Sequence, residues 1–210
     1  MTQFLVVFDV DSTLIEDEVI ELLADVAGKR EEVAAVTERA MAGELDFAES
    51  LIERVKTLAG LPESVFADVQ KRITITTGAK QLIDAVHAAG GKAGAVSGGF
   101  NQLLTPLAEI LELDFARANQ LEVVDGFLTG KVLGAIVDRQ AKADALLEWA
   151  AATSTPIENT VAVGDGANDL SMMAVAGLGV GFNCKPIVRE HADFILEGHD
   201  LSKLTEKLGL

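Results

Sequence analysis

Apolar residues open the chain as an unbroken run, Phe4-Leu-Val-Val-Phe8, which halts at Asp9 and Asp11. A short run of this kind, rich in β-branched and aromatic residues, predicts a buried strand over Phe4–Phe8. Strand side chains alternate, so Asp9 and Asp11 leave its carboxyl end on the same side and share one small volume. Like charges that close are relieved by a cation between them or by a proton kept on one. From about Ile15 to Arg72 the spacing turns helical: Val19, Leu22, Leu23, Val26; Val33, Val36, Ala40; Phe47, Leu51, Val55, Leu58; Val65, Val69. No strand is predicted in this stretch. Asp46 with Glu49 three residues on marks one helix start, and Pro62 is placed just inside another. From about Ile73 onward, short apolar runs alternate with amphipathic stretches. They predict strands at Lys92–Val96, Leu113–Ala116, Thr160–Val163, Gly179–Phe182 and Asp193–Leu196. Such alternation implies a parallel sheet with helical crossovers. Asp125-Gly126, between Glu-Val-Val and Phe-Leu-Thr, predicts a hairpin flap over Leu121–Lys131. The first strand belongs with these later ones. The expected organisation is therefore a discontinuous α/β core, 1–14 and 74–210, with a helical insert at 15–73.

Composition narrows the partners. The 210 residues are 49% hydrophobic, enough for a sizeable core, and 33 acidic against 17 basic residues give a formal charge of −16. That balance repels nucleic acid phosphates and anionic lipid, which points to a small-molecule partner with no nucleic acid and no membrane involved. A single cysteine, Cys184, permits no internal disulfide and is expected as a packed residue in a reducing compartment. The apolar start is too short for a membrane span and lacks the positive flank of a signal peptide, so the expected location is cytoplasmic.

In open parallel sheets, ligands bind beyond the carboxyl ends of the strands. Three strand ends carry polar groups there: Asp9-Val-Asp11, Ser97-Gly98-Gly99, and Gly164-Asp165-Gly166-Ala-Asn168-Asp169. Each has a plain structural reading. Aspartates cap helices, Asp169 favours a helix N-terminus, and a serine before glycines is a common cap. Taken together, however, the two aspartate clusters would repel one another unless a hard cation sat among them, and oxygen ligands near a phosphate suit magnesium. Ser97-Gly98-Gly99, placed ahead of a helix starting near Phe100, would let backbone N–H groups approach an anion. Lys142, in the first turn of a helix over Arg139–Ala152, opposes the helix dipole unless an anion is nearby; otherwise it is a solvated lysine.

In that order, Asp9-Val-Asp11-Ser12-Thr13, Ser97, Lys142 and Gly164 to Asp169 resemble the four motifs of the haloacid dehalogenase superfamily of phosphohydrolases. Within it, the whole chain is similar to the phosphoserine phosphatase branch, through Glu18, Gly43-Glu-Leu-Asp-Phe47, Arg54, Val96 to Phe100 and Gly164 to Met172. The resemblance implies a Rossmann-like core with the insert as a cap. It also implies a magnesium-dependent hydrolysis of O-phosphoserine by a monomer or homodimer. It makes Asp9 the nucleophile, Asp11 the general acid and base, and Ser97 and Lys142 the holders of the transferring oxygens, with Gly98 and Asn168 beside them. The implied metal ligands are Asp9, Asp165 and the backbone carbonyl of Asp11, with Asp169 in support. On the cap it gives Arg54 the substrate carboxylate and Glu18 the ammonium, with Phe47 on the same face and Met41 and Gly43 as further lining. Read without it, Glu18 is an acidic helix start and Phe47 plain core. Two other activities fit parts of the pattern. A phosphotransferase would share the first half-reaction, and a signalling receiver would share an Asp, a Ser or Thr, a Lys and magnesium, although it would lack Asp11 and the cap.

Overall fold

The computed structural model describes residues 4–41 and 45–210. Its centre is β1 (Leu5–Phe8), every residue of which is fully buried. A strand covered on both faces needs apolar side chains in both alternating sets, which explains the unbroken run. β1 pairs in parallel with β2 (Lys92–Phe100) on one side and β5 (Thr160–Gly164) on the other. With β3 (Phe115–Val124), β4 (Phe127–Leu133), β6 (Leu178–Phe182) and β7 (Phe194–Leu196), the described residues form a seven-stranded sheet, β4-β3-β2-β1-β5-β6-β7. All neighbours are parallel except the β3–β4 hairpin. On one face Val6 and Phe8 pack with Leu82 and Ile83 of α5 (Ala79–Ala88) and Leu103 and Leu107 of α6 (Asn101–Leu111). On the other, Leu5 and Val7 meet Leu146 and Trp149 of α7 (Arg139–Ala152), Met172 of α8 (Leu170–Val175) and Val188 of α9 (Pro186–Arg189). Since the chain passes from β1 to one neighbour and later reaches the other, the carboxyl end of β1 lies at the topological switch point.

The stretch after β1 is helical: α1 (Val19–Val26), α2 (Arg30–Met41), α3 (Phe47–Lys56) and α4 (Val65–Gln70). Asp46 and Glu49 close a reciprocal capping box at the start of α3, with bonds of 2.8 and 3.1 Å. The insert joins the sheet through an antiparallel bridge of Ile15 with Ile75, in which Glu16 N–H donates to Thr74 O at 2.9 Å and Thr76 N–H to Leu14 O at 2.9 Å. Gly43 lies outside the described residues, as does the side chain of Met41.

Three expected elements differ. β2 continues to Phe100, so Ser97-Gly98-Gly99 belongs to a bulged strand end rather than to a loop before a helix; the register shifts between Val96 and Phe100, and α6 starts at Asn101. The strand expected at Leu113–Ala116 and the first arm of the hairpin are one strand, β3. Polar Arg117, Asn119 and Gln120 hide that continuity, because buried Asn119 is satisfied by backbone partners rather than by apolar packing. Pro62 does not open a helix. Its segment lies extended against the hairpin, with Gly60 N–H bonded to Leu128 O, Leu128 N–H to Leu61 O and Glu63 N–H to Gly126 O, each at 2.8 Å, and α4 begins only at Val65. The hairpin thus props the insert against the sheet edge. No described helix is long and apolar enough to cross a membrane. Cys184 is buried and unpaired.

Candidate active site

Backbone contacts fix the aspartates before their side chains are considered. Asp9 N–H donates to Val163 O at 2.8 Å, tying the end of β1 to β5, and Asp9 Oδ1 accepts from Val10 N–H at 2.7 Å. The next turn folds so tightly that Ile15 N–H reaches Val10 O at 3.0 Å, with Ser12 at φ +56° and its hydroxyl donating to Glu18 Oε1 at 2.8 Å. Beyond β5, Asp169 Oδ2 accepts the N–H groups of Asp165 and Gly166, each at 3.1 Å. A Cβ on Gly164 would stand 2.3 Å from that oxygen, so only glycine lets the carboxylate fold back onto its own loop. At the end of β2, Ser97 Oγ accepts from Gly99 N–H at 2.7 Å and Gly98 O accepts from Asn119 Nδ2 at 2.8 Å. A Cβ on Gly98 would be 2.8 Å from Phe47 Cζ, so the glycine is what allows this residue of α3 to rest on the strand end.

The electrostatic centre is Lys142. It is fully buried and donates to Asp9 Oδ1 at 2.6 Å and to Asp169 Oδ1 at 2.8 Å. The lysine is therefore neither solvated nor left against the helix dipole: Asp138 caps α7, and two carboxylates receive the ammonium. Burial alone would lower its pKa, but Asp169 and Asp9 outweigh that and raise it. Asp9, Asp165 and Asp169 are all buried and each offers an oxygen within 4.8 Å of the other two. One buried ammonium does not balance three buried carboxylates. Burial and Asp169 push Asp9 up from 3.8 to about 7 despite Lys142, and burial raises Asp165 as well. An all-oxygen, net negative cluster of this size fits a hard divalent cation. Asp11 sits apart from that trio. Its Oδ1 is buried with no hydrogen-bond partner among the described residues, and burial, then Glu18 and Asp9, hold its pKa well above the usual carboxylate range. That setting favours the neutral carboxyl over the carboxylate.

Most of the expected groups border one cleft of about 470 Å³ between the helical insert and the sheet. Of the residues expected from the sequence, Asp9, Asp11, Glu18, Phe47, Arg54, Gly98, Asp165 and Asn168 form its wall. Ser97, Lys142 and Asp169 are buried behind it. Phe47 and Arg54 share a face of α3, and Arg54, partly desolvated and so lowered in pKa, feels Glu18 and Asp11 across the cleft. Asn168 Nδ2 donates to Asp9 Oδ2 at 3.4 Å. Two residues of the site escaped the sequence reading. Asn119 clamps Gly98 O with its Nδ2 and Val137 N–H with its Oδ1 at 2.8 Å, joining the β2 end to the segment before α7; nothing in the local pattern marks it. Lys185, which follows β6, lies 3.2 Å from Asp165 Oδ2. The carboxyl-end rule, applied to β6 as it was to the other strands, would have found it.

The chain matches the haloacid dehalogenase-like hydrolase family over residues 6–174. The chain belongs to that family. Among relatives of this haloacid dehalogenase-like hydrolase, a phosphoserine phosphatase of Mycobacterium tuberculosis is 53% identical over 100% of this chain and 51% of its own length. One from Streptococcus thermophilus is 52% identical over 97% of this chain and 95% of its own. The chain thus spans about half of the first relative and nearly all of the second. Two solved structures, a phospho-aspartyl intermediate analogue of phosphoserine phosphatase and a substrate-bound phosphoserine phosphatase complex, each superpose with a TM-score of 0.92 at 42% identity over 99% of both chains.

Lys142→Met should lower the unfolding free energy of the metal-free protein by about 3–5 kcal/mol in urea titration, since it strands buried charge on Asp9 and Asp169. A loss below about 1 kcal/mol would show that the carboxylates do not depend on it. The pH dependence has a defined sign. The folded-state pKa of Asp9 lies above its ordinary 3.8, at about 7, so the folded protein holds that proton more tightly than the unfolded chain. Metal-free protein should therefore gain stability from this group as pH falls through about 7 toward 4, and Asp9→Asn should flatten that part of the profile.

Proposed function

We propose that this haloacid dehalogenase-like hydrolase is a phosphoserine phosphatase, releasing L-serine and phosphate from O-phospho-L-serine through a phosphorylated Asp9. The observation that carries the reading is the contrast between two neighbouring carboxyls in one cleft. Asp9 is held by Lys142, whereas Asp11 keeps a buried oxygen unpartnered, and Arg54 and Glu18 bring opposite charges from the cap. The names of the similar proteins support the same substrate.

A carboxylate oxygen of Asp9 attacks phosphorus while the bond to the serine oxygen breaks, and Asp11 gives its proton to that departing oxygen. Asp11, now ionised, takes a proton from water as the water attacks phosphorus; the bond to Asp9 breaks, phosphate leaves, and both carboxyls return to their starting states. Splitting the reaction matters because phosphate monoester hydrolysis needs accelerations of up to ~10²¹. Lys142 uses two donors on Asp9 and Asp169 and has a third for a phosphoryl oxygen, with Ser97, the Gly98 N–H and Asn168 as the other candidates. Asp9, Asp165 and the backbone carbonyl of Asp11 would hold magnesium, with Asp169 in support. Bound there, the ion supplies charge that offsets the repulsion between Asp9 and the incoming phosphate. Residues 15–73 serve as the cap that selects substrate and 1–14 with 74–210 as the catalytic core: Arg54 takes the serine carboxylate, Glu18 the ammonium, and Phe47 closes over Gly98. The lone buried Cys184 supports a cytoplasmic setting.

Asp9→Asn should abolish release of phosphate from phosphoserine. Arg54→Ala should raise KM for phosphoserine by about 10- to 100-fold, the worth of one charge-assisted pair, and change KM for p-nitrophenyl phosphate by less than about threefold. Equal effects on both substrates would remove Arg54 from the specificity role. Added alcohols that collect the phosphoryl group in preference to water would make the protein a phosphotransferase instead.

A further inference from the structure

Lys142 serves only two of the three clustered carboxylates, Asp9 and Asp169. The cation beside the third, Asp165, is Lys185, whose Nζ lies 3.2 Å from Asp165 Oδ2. The two cations differ in kind. Lys142 is sealed in the core and cannot leave without stranding buried charge. The Lys185 side chain is 59% exposed and lies along the cleft wall. Its backbone, by contrast, is held: Lys185 N–H donates to Asp165 O at 2.9 Å, and Asn183 ties the same turn to Gly198 through bonds of 2.6 and 3.0 Å. A held backbone thus carries an exposed side chain to the most exposed of the three carboxylates. No step of the hydrolysis above uses it.

We propose that Lys185 is a tethered counter-cation for Asp165 that exchanges with the divalent ion, neutralising the carboxylate when the ion is absent and giving way when it binds. Two ligands that satisfy the same charge oppose each other, and by linkage each weakens the other equally. Lys185 therefore sets how tightly the site holds its ion. It also keeps the ion-free protein from carrying three carboxylates against a single ammonium. A weaker, exchangeable hold costs affinity but leaves the empty site folded and ready for loading.

The inference rests on the divalent ion proposed for this site, and one pair of measurements separates the two. Magnesium is titrated calorimetrically into metal-stripped wild type, Lys185→Met and Lys185→Arg, and thermal unfolding is recorded with chelator and with saturating magnesium. Lys185→Met is expected to tighten the magnesium Kd by about three- to tenfold, a modest factor because the ammonium is partly solvated, while Lys185→Arg stays within about twofold of wild type. The Met variant should also lose Tm in chelator and match wild type in magnesium. A magnesium Kd for Lys185→Met that is unchanged or weaker overturns the exchange. So does a Tm loss of equal size with and without magnesium, which would make the ion pair purely structural. Absence of magnesium binding in every variant, wild type included, would overturn the divalent site itself.

Discussion

The ammonium of Lys142, fully buried between Asp9 and Asp169, is the contact on which the site depends. It joins three elements remote in sequence: the end of β1, the first turns of α7 and the loop after β5. Each must stop at the right depth for the three charges to meet, and the parallel register of β1 with β5, Phe8 opposite Val163, sets two of those depths. α7 sets the third, started by Asp138, whose Oδ1 accepts from Gln140 and Ala141 N–H at 2.9 Å each. A buried ion pair is weak evidence of net stabilisation. Its effect here is specificity, because any slip of β1 or α7 leaves a charge in the core without its partner.

Much of this was legible in the chain, and the reasons are physical. β1 could be read because a doubly covered strand is apolar on both faces, and the helices of the insert could be read because helices buried on one side carry a 3.6-residue spacing. The aspartates were legible as a conflict of charge. What stayed hidden follows another rule: where backbone polar groups are satisfied by side chains instead of by regular pairing, polarity stops reporting exposure. Asn119 is polar and 1% exposed, so it concealed the middle of β3. Ser97-Gly98-Gly99 looked like a connection ahead of a helix because its glycines, which serve close approach with Phe47 against Gly98, do not report a continuing strand. Pro62 suited a helix start equally well in one dimension, and only the hairpin partner decides that its segment is extended.

The same distribution separates chemistry from recognition. Groups proposed to handle the phosphoryl centre come from strand ends in the sheet and, for Lys142, from α7, where register and buried pairs leave little freedom. Groups suited to the rest of a substrate, Phe47 and Arg54, stand on α3 of the cap, which reaches the core through the short Ile15–Ile75 bridge and the prop of the hairpin. Glu18 spans the division. It follows shortly after the Val10–Leu14 turn, receives the Ser12 hydroxyl at 2.8 Å and contributes to the raised pKa of Asp11. The Glu18 carboxylate, proposed to meet an ammonium, therefore also favours the neutral form of Asp11.

That double position explains why two aspartates only two residues apart can behave so differently. At the strand end both begin in one volume, and burial raises both. Asp9 is then drawn toward charge by an ammonium at 2.6 Å, while Asp11, within the tight Val10–Leu14 turn, feels Glu18 and receives no compensating bond at Oδ1. The difference is made by what stands behind each carboxyl, a lysine of α7 in one case and a glutamate of the cap in the other. Moving either neighbour would change the charge preference of Asp9 or Asp11 without altering the two residues themselves, which is why the motif is intelligible only with the fold that surrounds it.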